Sequence, residues 1–171
     1  MKIKSTKFLG LKVVLSKRYK DKRGFFKEDF KKKFFKNEKF VFGCASSSKK
    51  NVIRGLHLQT KSPQGKYVSV LKGAILDVVL DLRKKSKTYK QWSSLEIDSN
   101  KRQSIYVPAG CANAFLTLED NTIVHYYMND LYNPNTYKGI RYNDPSFSFK
   151  WPYEPKIISE KDLNFPDFFD G

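Results

Sequence analysis

The chain has 171 residues, of which 40% are hydrophobic and 15% aromatic, a composition that excludes a disordered protein and predicts one folded domain over residues 1–171. No apolar run approaches the roughly 20 residues that span a bilayer and no signal peptide is recognisable, so we expect a cytoplasmic protein without a membrane partner. The formal net charge of +16 is concentrated in residues 1–50, which hold 17 Lys and Arg against 4 Asp and Glu, but no base-reading motif accompanies it, so we expect a solvated basic surface and no nucleic-acid partner.

The predicted elements are mostly strands, with helical spacing confined to residues 27–36 and 159–163. Apolar runs bounded by turn signals predict strands at these ranges: 66–72, 74–82, 91–97, 104–107, 114–118 and 122–128. Within the second strand, alternation places Asp77 and Asp81 on one face. Strands this short, at intervals of roughly ten residues, indicate an antiparallel all-β protein, and an eight-stranded double-sheet jelly roll that holds a ligand between its sheets fits best.

The segment from Asn51 to Gln59 carries the strongest functional signal. Arg54 is a natural partner for phosphate because its planar guanidinium makes paired charge-assisted hydrogen bonds, and a neutral His57 is a common general base near pH 7. In a regular strand these two side chains point to opposite faces, but Gly55 permits a bend that would bring them to one site. The alternative is a strand end with one buried, hydrogen-bonded histidine.

Several other catalytic chemistries lack the residues that they need. The two histidines of the chain, His57 and His125, form no His-x-His or His-x-x-x-His pair, so no metal site is predicted. A serine hydrolase is disfavoured because the chain has no Gly-x-Ser-x-Gly motif. Cys44 and Cys111 are isolated in sequence, and we expect free thiols, with Cys111 buried. Proton transfer is the chemistry that remains.

Proton transfer by His57 requires an orienting carboxylate and an opposing acid. Asp162 is a candidate carboxylate, but it lies 105 residues away, so spacing cannot pair it with His57. Tyr126 is a candidate acid, because a phenol that faces a histidine base can return a proton to the opposite side of a carbon and invert it. Taken singly, Tyr126 also fits core packing, Asp162 a turn cap and Lys66 a surface charge.

The ordered set of motifs resembles that of the dTDP-4-dehydrorhamnose 3,5-epimerases, a family of cupin-like jelly rolls. The resemblance covers nearly the whole chain, from about residue 8 to residue 165. The segments that carry it are residues 21–28, 50–59, 64–66, 77–83, 100–103, 107–110, 139–145, 151–152 and 159–162. Each segment alone is a weak signal, whereas the full set in this order is highly specific.

The resemblance implies a catalytic role for four residues. His57 would remove the acidic proton next to the C4 keto group, and Asp162 would orient its ring. Tyr126 would be the opposing acid, and Lys66 would stabilise the enolate oxygen on which charge develops. A carbon acid beside a carbonyl is accessible by enolate stabilisation, so the resemblance implies an enzyme without a cofactor.

The resemblance also implies substrate-binding residues and a dimer. Arg54 and Lys161 would bind the diphosphate of a nucleotide-sugar substrate. The other implied substrate contacts are Arg23, Phe26, Glu28, Gln59 and Asn113. The first three of these belong to an N-terminal segment that in the family reaches the nucleotide of a neighbouring subunit, so a homodimer is expected.

Two departures from the family pattern bear on the substrate. Asn113 stands where the family usually has a second active-site histidine, and its amide can donate a hydrogen bond to the keto oxygen but cannot carry a positive charge. Residues 42–46, Phe-Gly-Cys-Ala-Ser, replace a usual Gln-Asp-Asn-His-Ser run and remove polar groups expected at the nucleotide. We therefore expect retained chemistry with an altered substrate: a GDP carrier, a heptose, or inversion at a single carbon.

The expected function is thus epimerisation at C3, C5 or both of a nucleotide-linked 4-keto sugar, for the synthesis of a surface polysaccharide such as capsule or lipopolysaccharide. Two alternatives stay open. One is a 3,4-ketoisomerase of a nucleotide sugar on the same fold. The other is a non-catalytic jelly roll that binds polyanions through its basic surface.

Overall fold

The structure is a computed structural model that describes residues 1–101 and 103–169. Arg102, which belongs to one of the segments that carry the resemblance, lies outside the described residues. The strands are β1 (Lys2–Ser5), β2 (Lys12–Leu15), β3 (Arg18–Asp21), β4 (Gly24–Lys27), β5 (Phe42–Ser48), β6 (Ile53–Gln59), β7 (Lys66–Lys72), β8 (Ala74–Asp81), β9 (Trp92–Asp98), β10 (Gln103–Val107), β11 (Cys111–Thr117), β12 (Thr122–Met128) and β13 (Tyr137–Gly139). The helical elements are a 3₁₀ turn (Lys32–Phe34) and α1 (Glu160–Leu163).

Two antiparallel sheets face each other. One has six strands in the order β1-β2-β10-β7-β12-β5, and the other has five in the order β13-β6-β11-β8-β9. β3 and β4 form a separate two-stranded hairpin. The all-β, double-sheet jelly-roll prediction is confirmed, although the described part of the chain contributes eleven strands to the two sheets in place of the eight expected.

The predicted strands are confirmed in the second half of the chain. β7, β8, β9, β10 and β12 match their predicted ranges to within a residue at each end. β11 is longer than predicted, because it begins at Cys111, directly after the Pro108–Gly110 turn. All seven of its residues are buried between β6 and β8, and such continuous burial gives no alternation to read.

The predicted helix over residues 27–36 is wrong. Within that range the chain forms only the end of β4 and the 3₁₀ turn at Lys32–Phe34. The aromatic rings of Phe30 and Phe35 pack instead on the outer face of the six-stranded sheet, against Tyr67, and Phe40 packs against both of these rings. Burial of these rings outweighs the local helical spacing. The helix predicted over residues 159–163 is confirmed by α1.

The core lies between the sheets. Alternate residues of β8 divide between two clusters: Ile75 and Val79 belong to the inner core, whereas Val78 and Leu80 pack on the outer face beneath Phe147. Asp77 and Asp81 share the inner parity with Ile75, as the alternation predicts. Within residues 1–101 and 103–169, no helix combines the length and apolarity needed to cross a membrane.

Candidate active site

A cavity of about 680 Å³ opens between the two sheets. Strands of both sheets line it, together with helix α1 and residues of several loops. The residues that line it are Phe42, Cys44, Ala45, Ser46, Val52, Ile53, Arg54, His57, Gln64, Lys66, Asn113, Phe115, Tyr126, Met128, Tyr132, Tyr137, Ile157, Ile158, Ser159, Lys161 and Asp162. Its size suits a small-molecule ligand.

The cavity contains a histidine–aspartate pair. His57 Nε2 lies 2.6 Å from Asp162 Oδ1, and the second carboxylate oxygen of Asp162 accepts a hydrogen bond from the Gly55 amide at 3.1 Å. The short helix α1 supplies Asp162, and the Ser159 hydroxyl caps that helix by accepting from the Asp162 amide at 3.1 Å. With Nε2 donating to Asp162, the lone pair of the ring is on Nδ1.

A bulge in β6 brings Arg54 and His57 to the same cavity. The pairing with β11 shifts between Asn113↔His57 and Phe115↔Arg54. Between these two pairs β6 has two residues and β11 has one. Gly55 has φ +109°, and a Cβ there would lie 2.5 Å from the Asn113 carbonyl oxygen. Only glycine fits this position, and the bend that the sequence allowed is present.

The protonation of His57 follows from its surroundings. Burial lowers the pKa of His57, and the charges of Lys66 and Lys161 act in the same direction, while Asp162 opposes them. Burial acts to raise the pKa of Asp162, but the hydrogen bonds from His57 and Gly55 outweigh it and hold that pKa below its ordinary value. At neutral pH the pair is therefore a neutral imidazole beside a carboxylate, the state that a general base requires.

Lys66 is a half-buried cation on the wall of the cavity. Burial lowers its pKa from 10.5 to about 8, against the opposing influence of Asp77 and Cys44. Its Nζ donates a hydrogen bond to the His57 carbonyl at 3.3 Å. Asp77 is 1% exposed, and burial raises its pKa well above 3.8, although it accepts a hydrogen bond from Asn113 Nδ2 at 2.7 Å. The amide of Asn113 is thus directed to Asp77.

Tyr126 enters the cavity from the sheet opposite His57, because it lies on β12 and His57 on β6. Its hydroxyl lies 2.9 Å from Ser46 Oγ. Burial raises the pKa of the Tyr126 phenol, so it holds its proton at neutral pH. A base and a proton donor therefore face one space from two sides.

Two further cations line the cavity. Arg54 Nε donates to Ser48 Oγ at 3.1 Å, which fixes the guanidinium along the wall formed by β5. Lys161 Nζ lies 3.9 Å from the ring centroid of Tyr137, a cation–π contact. These positive groups lie beside the His57–Asp162 pair and favour an anionic ligand.

The structure places Gln59, one of the predicted substrate contacts, outside the cavity. Gln59 is 2% exposed and does not line the cavity. Its amide nitrogen donates to the carbonyls of Ser62 and Leu131, and its carbonyl accepts from the Asn133 amide at 2.6 Å. The side chain holds two loops together, and its polar atoms are already used there.

The structure does not bring the N-terminal residues of the prediction to the cavity of their own chain. Arg23 and Phe26 lie on the β3–β4 hairpin, where Arg23 pairs with Asp21 at 2.6 Å and Phe26 is 66% exposed. Glu28 follows the hairpin and pairs with Lys31 at 2.6 Å. Contact of these residues with a substrate therefore requires a second subunit.

Tyr137 was missed in the sequence. Its ring lies 5.0 Å from the His57 ring between centroids, and it carries the contact with Lys161. Only the pairing of β13 with β6 brings it there, and a three-residue strand gives no periodic signal.

Among the described residues, no group of three or more His, Cys, Asp and Glu is arranged to hold a metal ion.

Comparison with known proteins places this geometry among related folds. A family profile described as dTDP-4-dehydrorhamnose 3,5-epimerase matches residues 5–170. The chain is 42% identical over 154 residues to the dTDP-4-dehydrorhamnose 3,5-epimerase of Methanothermobacter thermautotrophicus, covering 86% of this chain and 83% of the relative. It is also similar to the crystal structure of the Bacillus anthracis dTDP-4-dehydrorhamnose 3,5-epimerase with TDP and PPi bound (TM-score 0.92, 35% identity, 98% and 99% coverage). A 3'-monoepimerase of Streptomyces bikiniensis in complex with dTDP-quinovose is similar too (TM-score 0.87, 27% identity, 95% and 85% coverage).

Proposed function

The chain belongs to the dTDP-4-dehydrorhamnose 3,5-epimerase family and is an epimerase, and from this we propose that it inverts C3, C5 or both of a nucleotide-diphosphate 4-keto sugar without a cofactor. At the level of the family, the activity is 3,5-epimerisation of a dTDP-linked sugar for polysaccharide precursors. The finer assignment of residues, carrier and sugar rests on the cavity.

One observation carries the proposed chemistry: the His57–Asp162 pair and Tyr126 enter one cavity from opposite sheets. His57 removes the proton from the carbon next to the C4 keto group, and the electron pair moves into an enolate. Tyr126 then gives its proton to the other side of that carbon. The sugar loses one proton and gains one, so the only net change is the configuration of the carbon.

Lys66 supports this step by its charge. The enolate places negative charge on the C4 oxygen, and a half-buried ammonium held between the two sheets stabilises that charge more strongly than one in bulk solvent. Because the pKa of Lys66 is about 8, the ammonium predominates at neutral pH. Asn113 is directed to Asp77, so the cavity offers Lys66 as its charged stabiliser of the keto oxygen.

Arg54 and Lys161 are proposed to hold the diphosphate, since both are cations on the cavity wall beside the pair. The part of the wall formed by β5 presents Phe42, Cys44, Ala45 and Ser46. This mostly apolar surface supports a nucleotide or sugar different from that of the dTDP-rhamnose route. The candidates are a GDP carrier, a heptose, or inversion at one carbon, the last of which the similar 3'-monoepimerase performs.

The proposal includes a cytoplasmic homodimer of single-domain subunits, in which the β3–β4 hairpin of one subunit contacts the nucleotide of the other. The exposed ring of Phe26 and the guanidinium of Arg23 would supply that contact, with Glu28 at the base of the hairpin. Both side chains suit an aromatic base and its phosphate.

The test is proton NMR of the protein with dTDP-linked and GDP-linked 4-keto sugars in deuterium oxide. Loss of the C3 or C5 proton signal, with an inverted product, is expected for one of the two carriers. His57→Asn should abolish the exchange, whereas His125→Asn should retain it, because His125 lies against Tyr127 on the outer face of the six-stranded sheet and does not line the cavity. Exchange that persists in His57→Asn would remove His57 from the role of base, and a shifted keto group would indicate the ketoisomerase.

A further inference from the structure

The Ser46 hydroxyl is a polar group at the site that the proposed chemistry leaves without a task. Ser46 lies on β5, the strand at the edge of the six-stranded sheet, and it lines the cavity. Among the residues that the structure describes, it is the hydrogen-bond partner of the Tyr126 hydroxyl, at 2.9 Å. The contact joins two cavity-facing hydroxyls, so it affects which way the Tyr126 proton points.

The row of side chains on β5 shows that this contact is part of a pattern. Cys44, Ser46 and Ser48 share one face of β5 by alternation, and the Ser48 hydroxyl accepts a hydrogen bond from Arg54 Nε at 3.1 Å. Ser47, between them, is exposed and faces away. Ser46 and Ser48 therefore each contact a larger side chain that lines the cavity, Tyr126 and Arg54.

We propose that Ser46 is a positioning residue for Tyr126. The Ser46 hydroxyl donates its proton to Tyr126 Oη, and the phenol proton of Tyr126 is therefore left directed at the substrate carbon. The inference rests on the proposed epimerisation. A phenol has one proton to donate, and it is available to the substrate only if the phenol accepts from Ser46 instead of donating to it.

The same contact provides a route by which Tyr126 regains its proton after each reaction. When Tyr126 gives its proton to carbon, a phenolate remains. Burial makes that phenolate unfavourable, and a hydrogen bond from Ser46 opposes the effect. Ser46 then passes its proton to the phenolate and takes one from water, while His57 releases to solvent the proton that it removed. One proton leaves the protein for each that enters.

The test distinguishes proton transfer by His57 on one side of the substrate carbon from proton transfer by Tyr126 on the other side. In deuterium oxide, deuterium that His57 returns to the side from which it took the proton appears in recovered substrate, whereas proton delivery by Tyr126 gives inverted product. In Ser46→Ala the rate of inversion should fall roughly 10- to 100-fold, the range expected for a lost hydrogen bond to a charged group, while exchange into the substrate continues. The ratio of exchange to inversion therefore rises, as it should also in Tyr126→Phe.

Matched variants make the outcome decisive. Ser46→Thr and Ser46→Val have nearly the same shape, so Thr should restore the wild-type ratio and Val should not. Ser47→Ala should leave both rates unchanged. A Ser46→Ala or Ser46→Val variant whose exchange and inversion fall together, or do not change, overturns the positioning role. Failure of the proposed function looks different, because the wild-type protein would then show neither exchange nor inversion.

Discussion

His57 is poised between two opposing influences that a single substitution can separate. Burial and two lysine charges lower the pKa of its ring, and Asp162 raises it. The position of the ring is also set by Asp162, through the 2.6 Å contact, and by Tyr137, whose ring lies beside it. Orientation and protonation of the base thus depend on the same carboxylate, which gives the pair a characteristic pH signature.

Asp162→Asn should lower activity and move its pH dependence in a defined direction. Activity rises with pH as His57 loses its proton, so the acidic limb of kcat/KM follows the pKa of His57. Removal of the carboxylate removes an influence that raises this pKa, and the limb should therefore move to lower pH. The maximal rate should fall by roughly 100-fold or more, because the base is no longer oriented.

The pH–rate profile of Asp167→Asn provides the control, since Asp167 is 61% exposed, pairs with Arg141 and does not line the cavity. Its acidic limb should coincide with that of the wild-type protein. An Asp162→Asn limb that stays in place, or that moves to higher pH, would show that Asp162 does not act on His57.

Among the elements, β6 has the largest effect on the site. Without the bulge, alternation would direct Arg54 and Leu56 to one face and His57 to the other. With it, Leu56 and Leu58 pack in the outer cluster while Arg54 and His57 both line the cavity. Arg54, the proposed phosphate anchor, and His57, the proposed base, therefore share one cavity because of the backbone at Gly55.

Gly55→Ala should strongly destabilise the protein. The new Cβ would meet the Asn113 carbonyl oxygen at 2.5 Å and Ala114 Cα at 2.8 Å, in a backbone with φ +109°. Backbone atoms of a central strand cannot move aside cheaply, so the loss in unfolding free energy should be about 3 kcal/mol or more, with loss of activity. Chemical denaturation measures it.

Gly24→Ala serves as the control, because it measures the cost of a positive φ for alanine without a steric clash of the new Cβ. Gly24 has φ +124°, but nothing lies within 4 Å of the Cβ that it would gain. Only the conformational cost remains, so the loss should be about 1 kcal/mol. Equal losses in the two variants would show that the close approach of β6 to β11 does not determine the effect.

The elements also show how far the sequence alone leads. β7, β8 and β12 were predictable because their alternation or continuous apolarity is strong and turns bound them. The contact of Asp162 with His57 was not predictable from local sequence, because nothing local links residues that are 105 positions apart. Only the family resemblance paired them. Gln59 lies outside the cavity because loops cover the end of its strand, which alternation along β6 does not reveal.

Other residues of the site left no readable pattern. Tyr137 reaches His57 through a three-residue strand, and the contact of Ser46 with Tyr126 depends on how two sheet neighbours align. Neither feature has a sequence period. The predicted helix over residues 27–36 failed for the related reason that its aromatic rings pack on a sheet built from residues far along the chain.

On the scale of the whole molecule, the β3–β4 hairpin is the least supported element. It forms its own two-stranded sheet, and Tyr19, Phe25 and Phe26 are each about half exposed or more. Arg18 covers one side of Phe25, with its guanidinium carbon 3.7 Å from the ring centroid. An isolated hairpin is marginally stable in water, and such rings are typical of surfaces that a partner covers.

Mixed dimers should reveal whether the hairpin completes the neighbouring site. One parent carries His57→Asn, and the other carries Arg23→Ala with Phe26→Ala. If the hairpin acts across the dimer, a mixed dimer has one site with an intact base and an intact hairpin from its partner. Random exchange of equal amounts should therefore restore about one quarter of the wild-type activity, although each parent alone has little.

If the hairpin served its own subunit, no mixed dimer would contain an intact site, and mixing would give only the average of the two parents. The two results differ because the base and the hairpin are separate parts of the chain, on β6 and on β3–β4. Sedimentation of the mixture at the assay concentration shows whether dimers form. A monomer with full activity would contradict the proposal, because the hairpin residues do not line the cavity of their own chain.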